Sequence, residues 1–360
     1  MDDQNQKVGA ISTFLQRLDK IVRSKGNILY YRGHSKSSYQ LIPSIYRNEG
    51  WINKEGTMLK ELMLRCPNDF SGGLSTFQIL VKMQHYSLPT RLLDLTSNPL
   101  VSLYFACVIH DDDEDGEVIV LSFDINQVKY FDSDTVSVIS NISRRSVGFK
   151  APSTVEVSAF NEAEDIKFLL HDIRQDKPYF EPKIQPSHLG KVVCVKPMLD
   201  NPRIIRQDGA FLLFGINGEK TKPAELESSM LIERIKINRT KKKEILAQLE
   251  YLGISQATLF PEIEQVATHI KESYRLQELQ LPKQSTRLFH VLELIRQEPE
   301  ISIQEIAKRT NLHVMTVRYT LRELSEKGLI ENLGGVRNPN WQAKYDLNVP
   351  KLLGHEVSKQ

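Results

Sequence analysis

Apolar positions fall into two regimes along the chain. In the last quarter they recur at helical spacing, as Leu288, Val291, Leu292 and Ile295 in residues 286–297 and as Val314, Val317, Leu321 and Leu324 further on. Between them Ser302 precedes Gln304-Glu305-Ile306-Ala307, a short helix with an N-cap and an acidic first turn. Asn311-Leu312-His313 leaves room only for a tight turn into the third helix, and Gly328 is placed to end it. Three helices so joined predict a helix-turn-helix. The segments LIENLGG and WQAKYDL then predict two strands around the turn-rich stretch Gly334 to Asn340, the form of a wing.

The first 275 residues show shorter periods. Apolar runs at 117–123, 191–195, 210–214 and 233–237 predict strands, and Ile245, Leu246, Leu249 and Leu252 predict a helix. A further helix is expected from Ile263, Val266 and Ile270, set off by Gly253 and Pro261. Strands spaced this unevenly predict an α+β fold rather than a regular parallel βαβ sheet. The organisation read from these patterns is a large domain over 1–275, a linker over 276–284, a winged helix over 285–349 and a tail over 350–360.

Composition narrows this further. The chain has 360 residues, 40% hydrophobic and 26% charged, which fits a folded globular protein of two or three domains. Lys and Arg number 47 against 45 Asp and Glu, a net +2, so nucleic acid can be captured only by a local basic patch. No apolar run approaches the ~20 residues that span a bilayer, and the N-terminal MDDQNQK lacks a signal-peptide core. A cytoplasmic protein without a membrane partner is expected. Cys66, Cys107 and Cys194 are too widely spaced for a disulfide framework or paired zinc ligands and read as small apolar core residues. No histidine pair has metal-ligand spacing, so no metal is expected, and the acidic run from Asp111 to Asp115 reads as a solvated loop.

Three segments of the large domain concentrate polar chemistry. In Tyr30-Tyr31-Arg32-Gly33-His34, a guanidinium stands at the end of an apolar approach beside a glycine that would let a ligand come close to the backbone. Arg32 either meets such a ligand or satisfies a carboxylate of its own fold. The second segment runs from Gln84-His85-Tyr86 through Thr90-Arg91-Leu92-Leu93-Asp94 to Thr96-Ser97-Asn98-Pro99, ahead of an apolar helix. Its hydroxyls sit at a helix start, where free N–H groups favour an anion, although any one of them serves equally as a cap. In the third, Gln207-Asp208-Gly209 enters an apolar strand; Gln207 can hydrogen-bond a ligand but cannot act as a base at neutral pH.

Taken together, Tyr31-Arg32-Gly33, the His85 to Asp94 stretch, Thr96-Ser97-Asn98-Pro99 and Gln207 to Phe211 resemble the FRG domain family of bacteria and their phages, over about residues 10 to 275. Tyr31 replaces the phenylalanine for which the family is named. Arg32-Gly33 and Leu95-Thr96-Ser97 are also similar, more distantly, to the arginine and Ser-Thr-Ser elements of ADP-ribosyltransferases. That resemblance implies NAD or another nucleotide as ligand, with an ADP-ribosyltransferase or NAD glycohydrolase type of activity. It makes Arg32, Asp94, Thr96, Ser97 and Gln207 the catalytic candidates, and Arg32, Gly33, His34, His85, Tyr86 and Arg91 the cofactor-binding ones. Gln207 stands where that superfamily commonly has a glutamate, which leaves nucleotide binding better supported than catalysis. Asp94 either supplies the missing charge or partners Arg91 or Arg32.

In the winged helix, the exposed start of the third helix offers His313, Thr316, Arg318, Tyr319 and Arg322 to a major groove, with Arg337 in the wing for a phosphate. Residues 285–360 carry eleven basic and nine acidic side chains, a local +2. The same module could instead dock protein or pair two chains. Two functions are therefore expected to compete. One is a nucleotide-binding effector coupled to a DNA-binding module, similar to anti-phage or toxin-type proteins. The other is a non-enzymatic transcription regulator whose FRG domain senses a ligand or partner.

Overall fold

The computed structural model describes residues 7–22, 24–70, 72–108, 114–261, 283–335 and 339–343, with the side chains of 283–286 and 289 left aside. The chain divides into two compact units, Met1–Ser273 and Tyr274–Gln360.

The larger unit is built on a seven-stranded sheet. Its strands are β1 (Asn27–His34), β2 (Leu92–Thr96), β3 (Gly116–Asp124), β4 (Lys129–Tyr130), β5 (Val192–Lys196) and β6 (Gly209–Phe214), with β9 (Leu231–Ile237) at one edge; β7 (Ile216–Asn217) and β8 (Glu219–Pro223) form a separate hairpin. The order is β4-β5-β6-β2-β1-β3-β9, antiparallel throughout except for β4 beside β5. Uneven connections, several of them helical, give this mainly antiparallel order, and the α+β expectation holds.

Alternation along the strands sets up three cores. Tyr30, Leu93, Leu95, Ile119, Leu121, Cys194 and Leu212 form a continuous apolar cluster. The neighbours of these residues in sequence divide between two helical layers. Leu92, Val193, Phe211 and Leu213 pack with the helices Thr76–His85, Asp134–Asn141 and Glu164–Asp176. Tyr31, Val118, Val120 and Ile235 pack with Ile11–Asp19, Pro99–Cys107 and Lys242–Tyr251. Of the cysteines, Cys107 and Cys194 are buried as expected, whereas Cys66 is half-buried.

In the smaller unit, helices Lys283–Gln297, Ile303–Thr310 and Val314–Glu326 enclose Leu288, Val291, Leu292, Ile306, Val317, Leu321 and Leu324. Ser302 caps the second helix through the Glu305 amide at 3.2 Å, and Asn311 takes the left-handed conformation (φ 55°) that makes the turn tight. Strands β10 (Ile330–Asn332) and β11 (Trp341–Ala343) pair antiparallel as the base of the wing. The first helix begins at Lys283, inside the stretch expected to be linker. The helix expected at Ile263, Val266 and Ile270, the wing-tip residue Arg337 and most of the acidic run fall outside the described residues. Among the described residues no helix is long and apolar enough to cross a membrane, and no cluster of His, Cys, Asp and Glu could hold a metal ion.

Candidate functional site

Strand β1 pairs with β3 over its whole length, from Asn27↔Asp124 to His34↔Glu117, but meets β2 only at Tyr31↔Thr96. Beyond that point the two strands part, and the Arg32 side chain bridges them. Its Nη1 donates to the Asp94 main-chain carbonyl at 2.6 Å and lies 3.8 Å from the Asp94 carboxylate. Its Nε donates to His34 Nε2 at 3.0 Å. A guanidinium has only donors, so His34 must accept at Nε2 and carry its proton on Nδ1. That N–H donates to Glu117 Oε1 at 3.0 Å, an oxygen that also accepts from Arg234 at 2.7 Å. Burial lowers the His34 pKa, opposed by the Glu117 hydrogen bond, so the neutral ring is the stable form. Arg32 too is shifted below its ordinary value, by burial first, with Asp94 opposing and Arg47 adding to the effect.

Two recesses open on this bridge. The larger, of about 400 Å³, is lined by Arg32, His34, Tyr39, Arg47, Tyr104, Phe105, Gln256 and Phe260. Two guanidinium groups and four aromatic rings meet there, with no carboxylate among the described lining residues, a surface suited to an anion with an unsaturated or ring system. The smaller, of about 60 Å³, is polar and lined by Gln84, His85, Asp94, Asn201, Arg203 and Gln207. The two adjoin where Asp94 of the smaller lies beside Arg32 of the larger, and where the Arg203 guanidinium of the smaller stacks 4.6 Å from the centre of the Phe260 ring of the larger.

The structure sorts the expected site residues into three groups. Arg32 and His34 stand in the larger recess, and His85, Asp94 and Gln207 in the smaller. Asp94 partners Arg32, and its carboxylate also accepts from the Gln84 amide at 2.9 Å. A second group has structural work. Arg91 has no exposed surface and is held bidentate by Glu55 at 2.6 and 2.9 Å, so it is a core ion pair rather than a ligand contact. The buried Thr96 hydroxyl donates to the Gln207 carbonyl at 2.6 Å and ties the end of β2 to the turn before β6. Gly33 lines the larger recess beside Arg32 and also has structural work, since a Cβ there would stand 2.0 Å from the Ser102 carbonyl of the helix Pro99–Cys107. The third group lies apart: Ser97 opens into another groove, with Tyr30, Tyr130 and Lys196, and Tyr86 is exposed, edge-on to the His85 ring. Asn98, the neighbour of these hydroxyls, is the actual helix cap, accepting from the Leu100 amide at 3.0 Å.

Arg47, Arg203, Tyr39 and Phe260 complete the cleft, although sequence alone assigns none of them a role. They come from loops, turns or short helices with no local period.

In the winged helix, Met315, Arg318, Tyr319 and Arg322 point outward at positions i, i+3, i+4 and i+7 of the third helix. Arg322 pairs with Glu326 at 2.8 Å on the open surface, a contact that costs little to exchange for a phosphate. His313 is exposed but spends Nδ1 on capping, accepting from the Met315 amide at 3.3 Å. Thr316 is half-buried, and its carbonyl accepts from Thr320.

An α+β unit with a cleft between parted strands, followed by a winged helix, defines a two-module protein. Residues 27–115 match the FRG domain and residues 285–331 match a winged helix-turn-helix DNA-binding domain, so the chain carries both. The FRG match covers less of the large unit than the resemblance spanned, and leaves Arg203, Gln207 and Phe260 outside it. No curated protein and no solved structure shows a significant match to the chain.

Proposed function

We propose that the protein is a DNA-binding regulator whose FRG unit takes a small anionic ligand in the cleft at Arg32. The observation that carries it is the outward stripe of Met315, Arg318, Tyr319 and Arg322 on the third helix of a DNA-binding winged helix. Arg318 and Arg322 serve phosphates or base edges, Tyr319 and Met315 add apolar contact, and Arg337, between the two wing strands in sequence, is a further phosphate contact. Electrophoretic mobility shift over a salt series tests this on a pool of duplex DNA. The double variant Arg318→Ala/Arg322→Ala should lower the salt slope by about 2, at roughly 0.9 for each phosphate no longer neutralised. A wild-type protein that shifts no DNA even at low salt defeats the reading.

A second reading is favoured by the two arginines and four aromatic rings of the larger recess: the ligand is NAD or another nucleotide. Arg32 and Arg47 would hold its phosphates, and Asp94 would supply the negative charge that Gln207 lacks. A transferase or glycohydrolase activity, and with it a role in phage defence or as a toxin, belongs to this reading. Isothermal titration with NAD and assay of released nicotinamide address it, with Arg32→Ala expected to abolish both signals. A silent wild-type protein in both assays rules NAD out.

A further inference from the structure

The last described stretch of the large unit is held by the same side chains that line the cleft. Gly253, at φ 78°, turns the chain out of the helix Lys242–Tyr251, and Ser255 starts the short turn Gln256–Leu259. Leu259 sinks into the core behind the helix Pro99–Cys107, while Gln256 and Phe260 face the larger recess. Two polar ties fasten this stretch from the other side. Gln207 Nε2 donates to the Leu259 carbonyl at 3.0 Å, and Arg203 stacks on Phe260 at 4.6 Å. Both groups also line the smaller recess.

A ligand reaching from Arg32 into the smaller recess therefore needs Arg203 and Gln207, the groups already engaged by residues 259 and 260. An anion in the smaller recess would draw the Arg203 guanidinium and the Gln207 amide toward itself, away from the Phe260 ring and the Leu259 carbonyl. Such competition gives the ligand different affinities for the fastened and unfastened states, which is what coupling between sites requires. In sequence the stretch precedes the winged helix, separated from it by residues 262–282.

We propose that Ser255–Pro261 is a strap that reports occupancy of the cleft: ligand in the smaller recess takes Arg203 and Gln207 from the strap, and the freed strap changes the affinity of the winged helix for DNA. This rests on the DNA-binding reading above and adds to it how the cleft is heard. The test uses the full chain and needs no ligand, because Gln207→Ala and Phe260→Ala each remove one tie and imitate the occupied state. Hydrogen exchange reads the strap directly at the Leu259 and Phe260 amides, which bond the Ser255 and Gln256 carbonyls at 3.0 and 2.9 Å. Exchange there should quicken at least about fivefold, the weight of one hydrogen bond, while β6 stays protected. Mobility shift on the same samples should show DNA affinity moved about fivefold or more, in the same direction for both variants. An opened strap with DNA affinity within about twofold of wild type overturns the coupling, and a strap whose exchange is unchanged overturns the ties. If the wild type binds no DNA, the regulator reading fails and the coupling with it, a result distinct from unchanged affinity in variants that do bind.

Discussion

A guanidinium without solvent persists only where its charge is answered, and for Arg91 the answer is Glu55. Lys220 reaches the same carboxylate at 3.1 Å, and all three side chains are at most 1% exposed. Two cations thus share one anion, and the excess is spread over the Phe214 and Ser143 carbonyls and the Tyr46 hydroxyl. Burial alone would raise the Glu55 carboxyl; Arg91 and Lys220 outweigh it and hold the group below its ordinary 4.5. For Lys220 burial prevails over the pull of Glu55, and its ammonium falls to about 8. Removing the anion strands both cations, so Glu55→Gln should cost about 3–5 kcal/mol at pH 7 in denaturant unfolding. A carboxyl with a depressed folded pKa contributes stability above its unfolded value and loses it as pH falls through the folded one. The gap between wild type and Glu55→Gln should therefore narrow when both are unfolded near pH 3. A gap of constant size would show that the carboxylate charge is not what Arg91 and Lys220 need.

Among the elements, the helix Pro99–Cys107 fixes the geometry of the cleft floor. It lies directly on the backbone of β1 and β3: a Cβ at Gly33 would be 2.0 Å from the Ser102 carbonyl, and one at Gly116 would be 2.1 Å from that of Ala106. No flexible side chain can yield at either place. Gly33→Ala must lift the helix from the sheet, and we expect a loss beyond the roughly 3 kcal/mol of ordinary overpacking, read by thermal unfolding. A variant within about 1 kcal/mol of wild type would mean that the helix can slide. What could be read from sequence follows the same division between local and distant causes. Asn98-Pro99 ahead of an apolar run, Ser302 ahead of Glu305, and Asn311 in its tight turn are local signals, and they mark where helices start and stop. Arg32 could be singled out because an apolar strand and a glycine frame it. The meaning of Gly33 could not, because the backbone that approaches it belongs to residue 102. Arg91 looked like a ligand contact for the same reason: its partner Glu55 stands 36 positions away in a helix with no motif. Arg203 and Phe260 enter the cleft through a stacking contact that no periodicity encodes.

For the whole molecule, the near-balance of 47 basic and 45 acidic residues leaves no bulk charge to attract nucleic acid, so the proposed DNA reading rests on a few placed side chains of the winged helix. The same separation should govern unfolding. The ion network of Glu55, Arg91 and Lys220 and the three sheet cores lie within Met1–Ser273, whereas the core around Val291, Val317 and Leu321 lies within Tyr274–Gln360. A core closed within its own unit melts on its own terms. Calorimetry of the full chain should then resolve two transitions. Glu55→Gln should move only the larger, by roughly 6–20 °C, from a loss of about 3–5 kcal/mol at about 2–4 °C per kcal/mol for a unit of this size. Leu321→Ala, which opens a cavity in the three-helix core, should move only the smaller, by a loss of about 2–5 kcal/mol. One transition displaced by both substitutions would show that the two units fold as a single cooperative body, and the strap would then act within that body rather than between independent modules.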